Sequence, residues 1–241
     1  MKYEQRLLAI LLFYIIIENM GIMAFAMNTG FSTESISEDK QKKILDYLNI
    51  TLLEEEPKNM PIKCFDINEN GIFAIGAERF EQKKIAVYDN KGVFLYGIKF
   101  NDSGTFYLEL TEENKLLIYF ARGNTAISVN TKGEVEEVLQ IQDTSENNLY
   151  WYVVGSLKQK IGDVQYILKN DMGILNIFAT SYSQIVAIDA EGNETVIFDA
   201  DTTAEQVTII IIVFIGITIF IVAFTIYIVR LIKQNKNSNT R

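Results

Sequence analysis

The chain has 241 residues, with 22 basic and 31 acidic side chains, no histidine, two prolines and a single cysteine, Cys64. At 49% hydrophobic and 12% aromatic it is neither a disordered nor a fibrous sequence. One cysteine without histidine excludes a disulfide scaffold, a zinc finger, a haem site and a histidine-based triad within this chain.

Lys2 and Arg6 precede the apolar run Leu7–Ile17, which is followed by Glu18, Asn19 and the small-residue site Ala24-Phe25-Ala26. That order predicts a signal peptide over 1–26, removed after Ala26. The run is too short to span a hydrocarbon core, which needs about 20 residues, and an uncleaved signal anchor is the alternative. Residues 27–61 read as a linker carrying one amphipathic helix, about 37–48. Ser35 and Glu38 have capping-box spacing, Ile44, Leu45 and Leu48 share a face, and Pro57 and Pro61 close the segment. The helix either packs on the following domain or acts as a spacer.

From 62 to 206 short apolar runs are divided by turn residues, the pattern of an all-β domain. Three stretches superpose. The first, Ile62–Phe100, holds strand-like Ile72–Ala77, Lys84–Tyr88 and Val93–Phe100. The second, Thr105–Ile141, holds Leu116–Ala121, Thr125–Val129 and Glu134–Ile141. The third, Gln165–Asp201, holds Ile174–Thr180, Gln184–Ile188 and Glu194–Phe198. In each, a strand ends in Asp or Asn, two residues follow, and a glycine (Gly92, Gly133 or Gly192) restarts the chain, as in a bulged hairpin needing positive φ. An insertion at about 142–160 lengthens the second interval. On these residues the chain resembles the repeat units of β-propeller proteins, a resemblance that implies architecture and no functional residue. The expected fold is mainly β: a partial β-propeller-like or twisted β-meander repeat array, open at its ends and capped by the 37–48 helix or by a partner. A two-layer β-sandwich is the alternative.

Val207–Val229 is a run of 23 residues without a charge, long enough for a transmembrane helix. The tail 230–241 carries Arg230, Lys233, Lys236 and Arg241 and no acid, which predicts a cytoplasmic C-terminus and an N-terminal domain outside the cell membrane. Residues 27–206 carry 16 basic and 29 acidic side chains, a net of −13. That charge argues against nucleic acid as a partner. The expected partners are the membrane and another cell-surface or membrane protein.

Four features could carry chemistry. Asp66, Asn68, Asn70 and Gly71 match the first half of a calcium loop, but the bidentate glutamate position is Ala77, so a plain hairpin turn competes with a metal site. No other cofactor is implied. Cys64, in an apolar strand, reads as a buried inert thiol. The acidic clusters Glu54–Glu56, Glu112-Glu113 and Glu134–Glu137 read as solvated charge, or as sources of a carboxylate pair for glycoside hydrolysis. Tyr150-Trp151-Tyr152, in the insertion, is the densest aromatic patch and reads either as core filling or as a recognition platform. The expectation is a non-enzymatic, single-pass, membrane-anchored extracytoplasmic binding module using these three aromatics. An extracytoplasmic carboxylate-dependent hydrolase and a calcium-stabilised structural surface domain are the alternatives.

Overall fold

The computed structural model describes residues 27, 29–79, 82–179 and 181–238. The expected signal segment 1–26 lies outside them, as do the side chains of Lys233, Lys236 and Arg241 in the tail.

The described chain enters through β1 (Thr33–Ser35), α1 (Glu38–Leu48) and β2 (Thr51–Leu52), then lays down three four-stranded meanders. Sheet I comprises β3 (Ile62–Ile67), β4 (Phe73–Arg79), β5 (Gln82–Tyr88) and β6 (Phe94–Asn101), with β2 added beside β6. Sheet II comprises β7 (Phe106–Leu110), β8 (Leu116–Phe120), β9 (Thr125–Val129) and β10 (Val135–Ile141), with β1 added beside β10. After α2 (Ser145–Val154), sheet III comprises β11 (Lys158–Ile161), β12 (Val164–Lys169), β13 (Gln184–Ile188) and β14 (Glu194–Asp199). All pairs are antiparallel and none of the three sheets closes on itself. The helix α3 (Thr203–Ser238) follows directly.

The hairpins repeat one piece of local chemistry. At Asp89 and Asn130 the side-chain Oδ1 accepts two backbone amides, Lys91 and Val93 in one turn, Lys132 and Glu134 in the other, at 2.8–3.0 Å. Three residues on, the amide of Gly92 or Gly133 donates to the carbonyl of that same Asp or Asn. Both glycines have φ 78°, where any Cβ is strained, and Gly192 after Asp189 follows with φ 86°. Each turn is matched by a register shift in its hairpin, between Val87 and Tyr88, Val135 and Glu137, and Ile185 and Val186. The recurrence seen in the sequence is therefore a turn that needs only an acceptor and a glycine three positions apart.

Sheet I is the middle layer. One face, with Cys64, Ile85, Val87 and Phe100, packs on Phe106, Ile118 and Ile127 of sheet II. The other, with Phe65, Phe73 and Tyr88, packs on Leu168, Ile185 and Phe198 of sheet III. The far face of sheet II, with Leu117, Tyr119 and Ile141, is covered by Phe31 and by Trp151 and Val154 of α2. The layers thus run α2, sheet II, sheet I, sheet III. Strands β8 and β9 are buried on both faces, which is why β8 reads as an unbroken apolar run rather than as alternation.

Three expectations are corrected. Ser35 lies in β1, and the helix N-cap is Ser37 without a side-chain cap bond, so the capping box with Glu38 does not form. The helix α1 does not cover the end of the stack; Ile44, Leu45 and Leu48 join the core shared by sheets I and II, and α2 is the cap. The described part of the expected strand Ile174–Thr180 is not a strand: Gly173–Phe178 forms a 3₁₀ turn projecting from sheet III, whose first two strands come from 158–169 instead.

The helix α3 contains the charge-free run, and Thr203–Ile228 is long and apolar enough to cross a membrane, with no residue of its most apolar stretch buried in the protein. This is consistent with membrane anchoring. Its first turn is fastened to the sheets, with Glu205 paired to Arg79 of β4 at 2.5 Å and the Thr203 hydroxyl donating to Ser183 Oγ at 3.1 Å.

Candidate functional site

The first strands of the three meanders meet along one polar seam. Asp66 on β3 accepts the backbone amide of Leu110 on β7 at 2.5 Å through Oδ2, and the side-chain amide of Gln159 on β11 through Oδ1. Gln159 in turn accepts the Ile67 amide at 3.1 Å, so one side chain stitches sheet III to sheet I. Beside Leu110, Glu109 accepts the Tyr119 hydroxyl through one oxygen and the Tyr150 hydroxyl, at 2.5 Å, through the other. Burial drives Asp66 upward against the Leu110 amide and the Gln159 side chain, which favour the charged form, and the Glu109 carboxylate adds to the rise; the group settles at about 6. Burial and the Glu109 carboxylate push the hydroxyls of Tyr119 and Tyr150 well above the ordinary phenol range, so both remain donors.

A buried carboxyl pushed upward beside a second carboxylate has the electrostatics of an acid–base site. Its geometry is that of a joint, because each of the four carboxylate oxygens already accepts from a protein donor. The joint has a pH signature. The folded value of about 6 lies above the ordinary 3.8, so the folded state holds the Asp66 proton where the unfolded chain releases it. The resulting stabilisation is complete below about pH 4 and lost as pH rises through about 6; roughly two pK units correspond to about 3 kcal/mol. In urea unfolding of the full chain in lipid nanodiscs, wild type is expected to gain that amount over Asp66→Asn as pH falls across this window. A difference independent of pH would remove the assignment.

The expected calcium ligands do not converge. Asp66 is committed to the seam. Asn68 Oδ1 accepts the amides of Asn70 and Ile72, both at 3.1 Å, while its Nδ2 donates to the Thr111 carbonyl and to Asn114 Oδ1. Asn70 donates to Glu112 at 3.0 Å. Together these bonds tie the β3–β4 turn to the β7–β8 turn. Among the described residues no group of three or more acidic, cysteine or histidine side chains could hold a metal ion. Cys64 is buried in the interface of sheets I and II, and that burial raises its thiol far above the reactive range.

The aromatic triad is divided by helix geometry. The helix of the insertion is preceded by Thr144, whose hydroxyl accepts the Asn147 amide at 3.1 Å and so caps α2. Successive residues on a helix point about 100° apart, so Tyr150, Trp151 and Tyr152 cannot form one platform. Tyr150 and Trp151 pack edge-on and tilted against Phe31, with centroids at 4.7 and 4.6 Å. Leu149 is 69% exposed, and Tyr152 and Val153, three and four residues on from it, are 81% and 60% exposed. The outer face of α2 is therefore an apolar stripe of i, i+3 and i+4 residues in water. Consecutive aromatics draw attention in the sequence, whereas the stripe is hidden because α2 is apolar on both sides and shows little amphipathic contrast.

No protein-family model matches the chain, and no curated protein is significantly similar to it.

Proposed function

We propose that this chain is a non-enzymatic, membrane-anchored, extracytoplasmic interaction module that holds another cell-surface or membrane protein through the outer face of α2. The observation that carries the reading is the exposed stripe Leu149, Tyr152 and Val153, set on a helix whose inner face is fixed by Phe31 and by the Tyr150–Glu109 bond. Large apolar residues on a rigid, pre-ordered helix lose little conformational freedom on binding, and tyrosine is enriched among residues that dominate binding energy. The stripe lies at the end of the layer stack opposite the sheet that continues into α3.

In the same reading the three meanders are blades of a partial, propeller-like array. Its support is that β3, β7 and β11, the first strand of each, share the Asp66–Glu109–Gln159 seam as inner strands would, and that β3 and β7 run side by side. The helix α3 then crosses the cell membrane, with Arg230 and the basic tail on the cytoplasmic side.

The test is crosslinking in cells from a photoreactive side chain at Tyr152, with mass spectrometry of the adducts. For the comparison the photoreactive side chain is moved to exposed Asn148 of the same helix; one dominant protein neighbour is expected from either position, and from position 148 it is lost in the Leu149→Asp/Tyr152→Asp chain while Trp151 fluorescence and the melting temperature are retained. Capture unchanged by the double substitution would overturn the assigned surface.

A further inference from the structure

The 3₁₀ turn Gly173–Phe178 presents Ile174, Ile177 and Phe178 outward, 84%, 76% and 47% exposed, an unusual concentration for six residues joining two strands of a domain with net charge −13. It does not hang free. The Phe178 ring meets the Phe214 ring of α3 edge-on at 5.1 Å, and Leu175 shares a cleft with Ile211, Ile215, Thr218 and Ile219. We infer that this turn is a second membrane element, immersed among lipid acyl chains beside α3 in the leaflet nearer the β domain.

The argument from length is the strongest. The charge-free run of α3 starts at Val207 and ends at Val229. At 1.5 Å per residue its 23 residues extend about 34 Å, just over a hydrocarbon core of about 30 Å. If the turn were kept in water, the helix beside it would be too, and the bilayer could begin no earlier than Ile219. Only 219–229 would remain, about 16 Å, and that cannot cross. A crossing α3 therefore draws Phe214, and the turn packed on it, below the surface.

The turn is also chemically suited to that depth. Backbone polar groups away from water must be satisfied internally. The amide of Leu175 donates to the Met172 carbonyl at 3.2 Å and that of Ala179 to the Asn176 carbonyl at 3.1 Å. Asn176, the polar side chain of the turn, is bonded inward, accepting the Met172 amide and donating to the Asn170 carbonyl. A cleft of about 420 Å³ between turn and helix, lined by Phe178, Ile209, Val213 and Ile217, is open to acyl chains. Two attachment points, α3 and the turn, fix the tilt of the β domain on the bilayer, which one helix alone does not.

The inference rests on α3 crossing the membrane, and the test separates the two. The full chain is labelled with a nitroxide at Ile177→Cys, Ile174→Cys, Ile219→Cys or Val93→Cys in phosphatidylcholine vesicles; buried Cys64 does not compete for label. Collision with oxygen, which partitions into lipid, is compared with collision with a water-soluble nickel chelate. The oxygen-to-nickel ratio at Ile177 and Ile174 is expected to match that at Ile219 and to exceed that at Val93, an exposed turn position. A lipid-like Ile219 with water-like turn positions overturns the inference and leaves the anchor standing. Turn labels shielded from both reagents overturn it in favour of a protein occupant, such as a second copy of α3. A water-like Ile219 overturns the anchor and this inference together.

Discussion

Replacing Phe31 with alanine is expected to lower the unfolding free energy by about 3–5 kcal/mol, the usual loss for a buried phenylalanine truncated without collapse of the site. Phe31 is 5% exposed and touches Tyr119, Tyr150 and Trp151, with ring centroids 4.9, 4.7 and 4.6 Å away. It lies just ahead of β1, the strand that extends sheet II, and Ser32 next to it exchanges two bonds with Asn147 of α2, both at 2.8 Å. Phe31 is thus gripped by both sheet II and α2. The backbone beside it passes close over Tyr150, where a Cβ on Gly30 would fall 2.0 Å from that ring. The loss is expected first at α2. Trp151 is the only tryptophan, and its fluorescence in a urea titration should report undocking of α2 at lower denaturant than far-ultraviolet dichroism reports melting of the sheets. Coincident transitions, shifted by less than about 1 kcal/mol, would show that Phe31 does not hold the cap. Because the proposed contact stripe is on α2, the same substitution should also abolish capture of a partner.

Much of the fold could be read in the sequence where local chemistry determines it. The turns at Asp89–Gly92, Asn130–Gly133 and Asp189–Gly192 follow from an acceptor side chain and a glycine at fixed spacing, and the strands beside them were placed within a residue or two. The charge-free run of α3 is of the same kind. What was not legible depended on partners distant in the chain. Lys158–Ile161 and Val164–Lys169 are short and mixed in polarity, and become strands because sheet I offers Phe65 and Ile67 as a face for Ile161, Tyr166 and Leu168. Ile174–Phe178 has the composition of a buried strand, yet it forms a turn held by the Asn176 side chain and packed against α3. The site divides in the same way. Tyr152 was visible as an aromatic on an insertion, but its separation from Tyr150 and Trp151 required knowing that 145–154 is a helix. The Asp66–Glu109–Gln159 seam joins residues 43 to 93 positions apart and has no local signature.

Lys83 is the other concealed element, and Asp102→Ala tests it. In the sequence it is the first of two adjacent lysines on a strand, and nothing distinguishes the inward one. In the structure its side chain is 1% exposed, its ammonium donates to the Gly104 carbonyl and lies 5.2 Å from the Phe106 ring centroid. Asp102 stands 3.5 Å away and Glu78, across the β4–β5 ladder, 3.9 Å. Residues 102–105 connect sheet I to sheet II, and Asp102 also accepts the Gly104 amide at 3.0 Å, so the buried ion pair fixes the corner between the two sheets. Removing the carboxylate leaves an ammonium out of water with only the half-exposed Glu78 as counter-charge, and breaking a buried pair in this way costs about 3–5 kcal/mol. Lys83→Met, which keeps roughly the volume and an apolar contact with Phe106 while removing the charge, is expected to cost less alone. In the Asp102→Ala background it should restore stability, since the stranded charge is then gone. A double-mutant cycle by urea unfolding of the full chain should give a coupling of about 1–3 kcal/mol. Additive losses would mean that Lys83 is held by the Gly104 carbonyl alone, and the corner between sheets I and II would then owe its angle to the packing of Phe100 on Phe106.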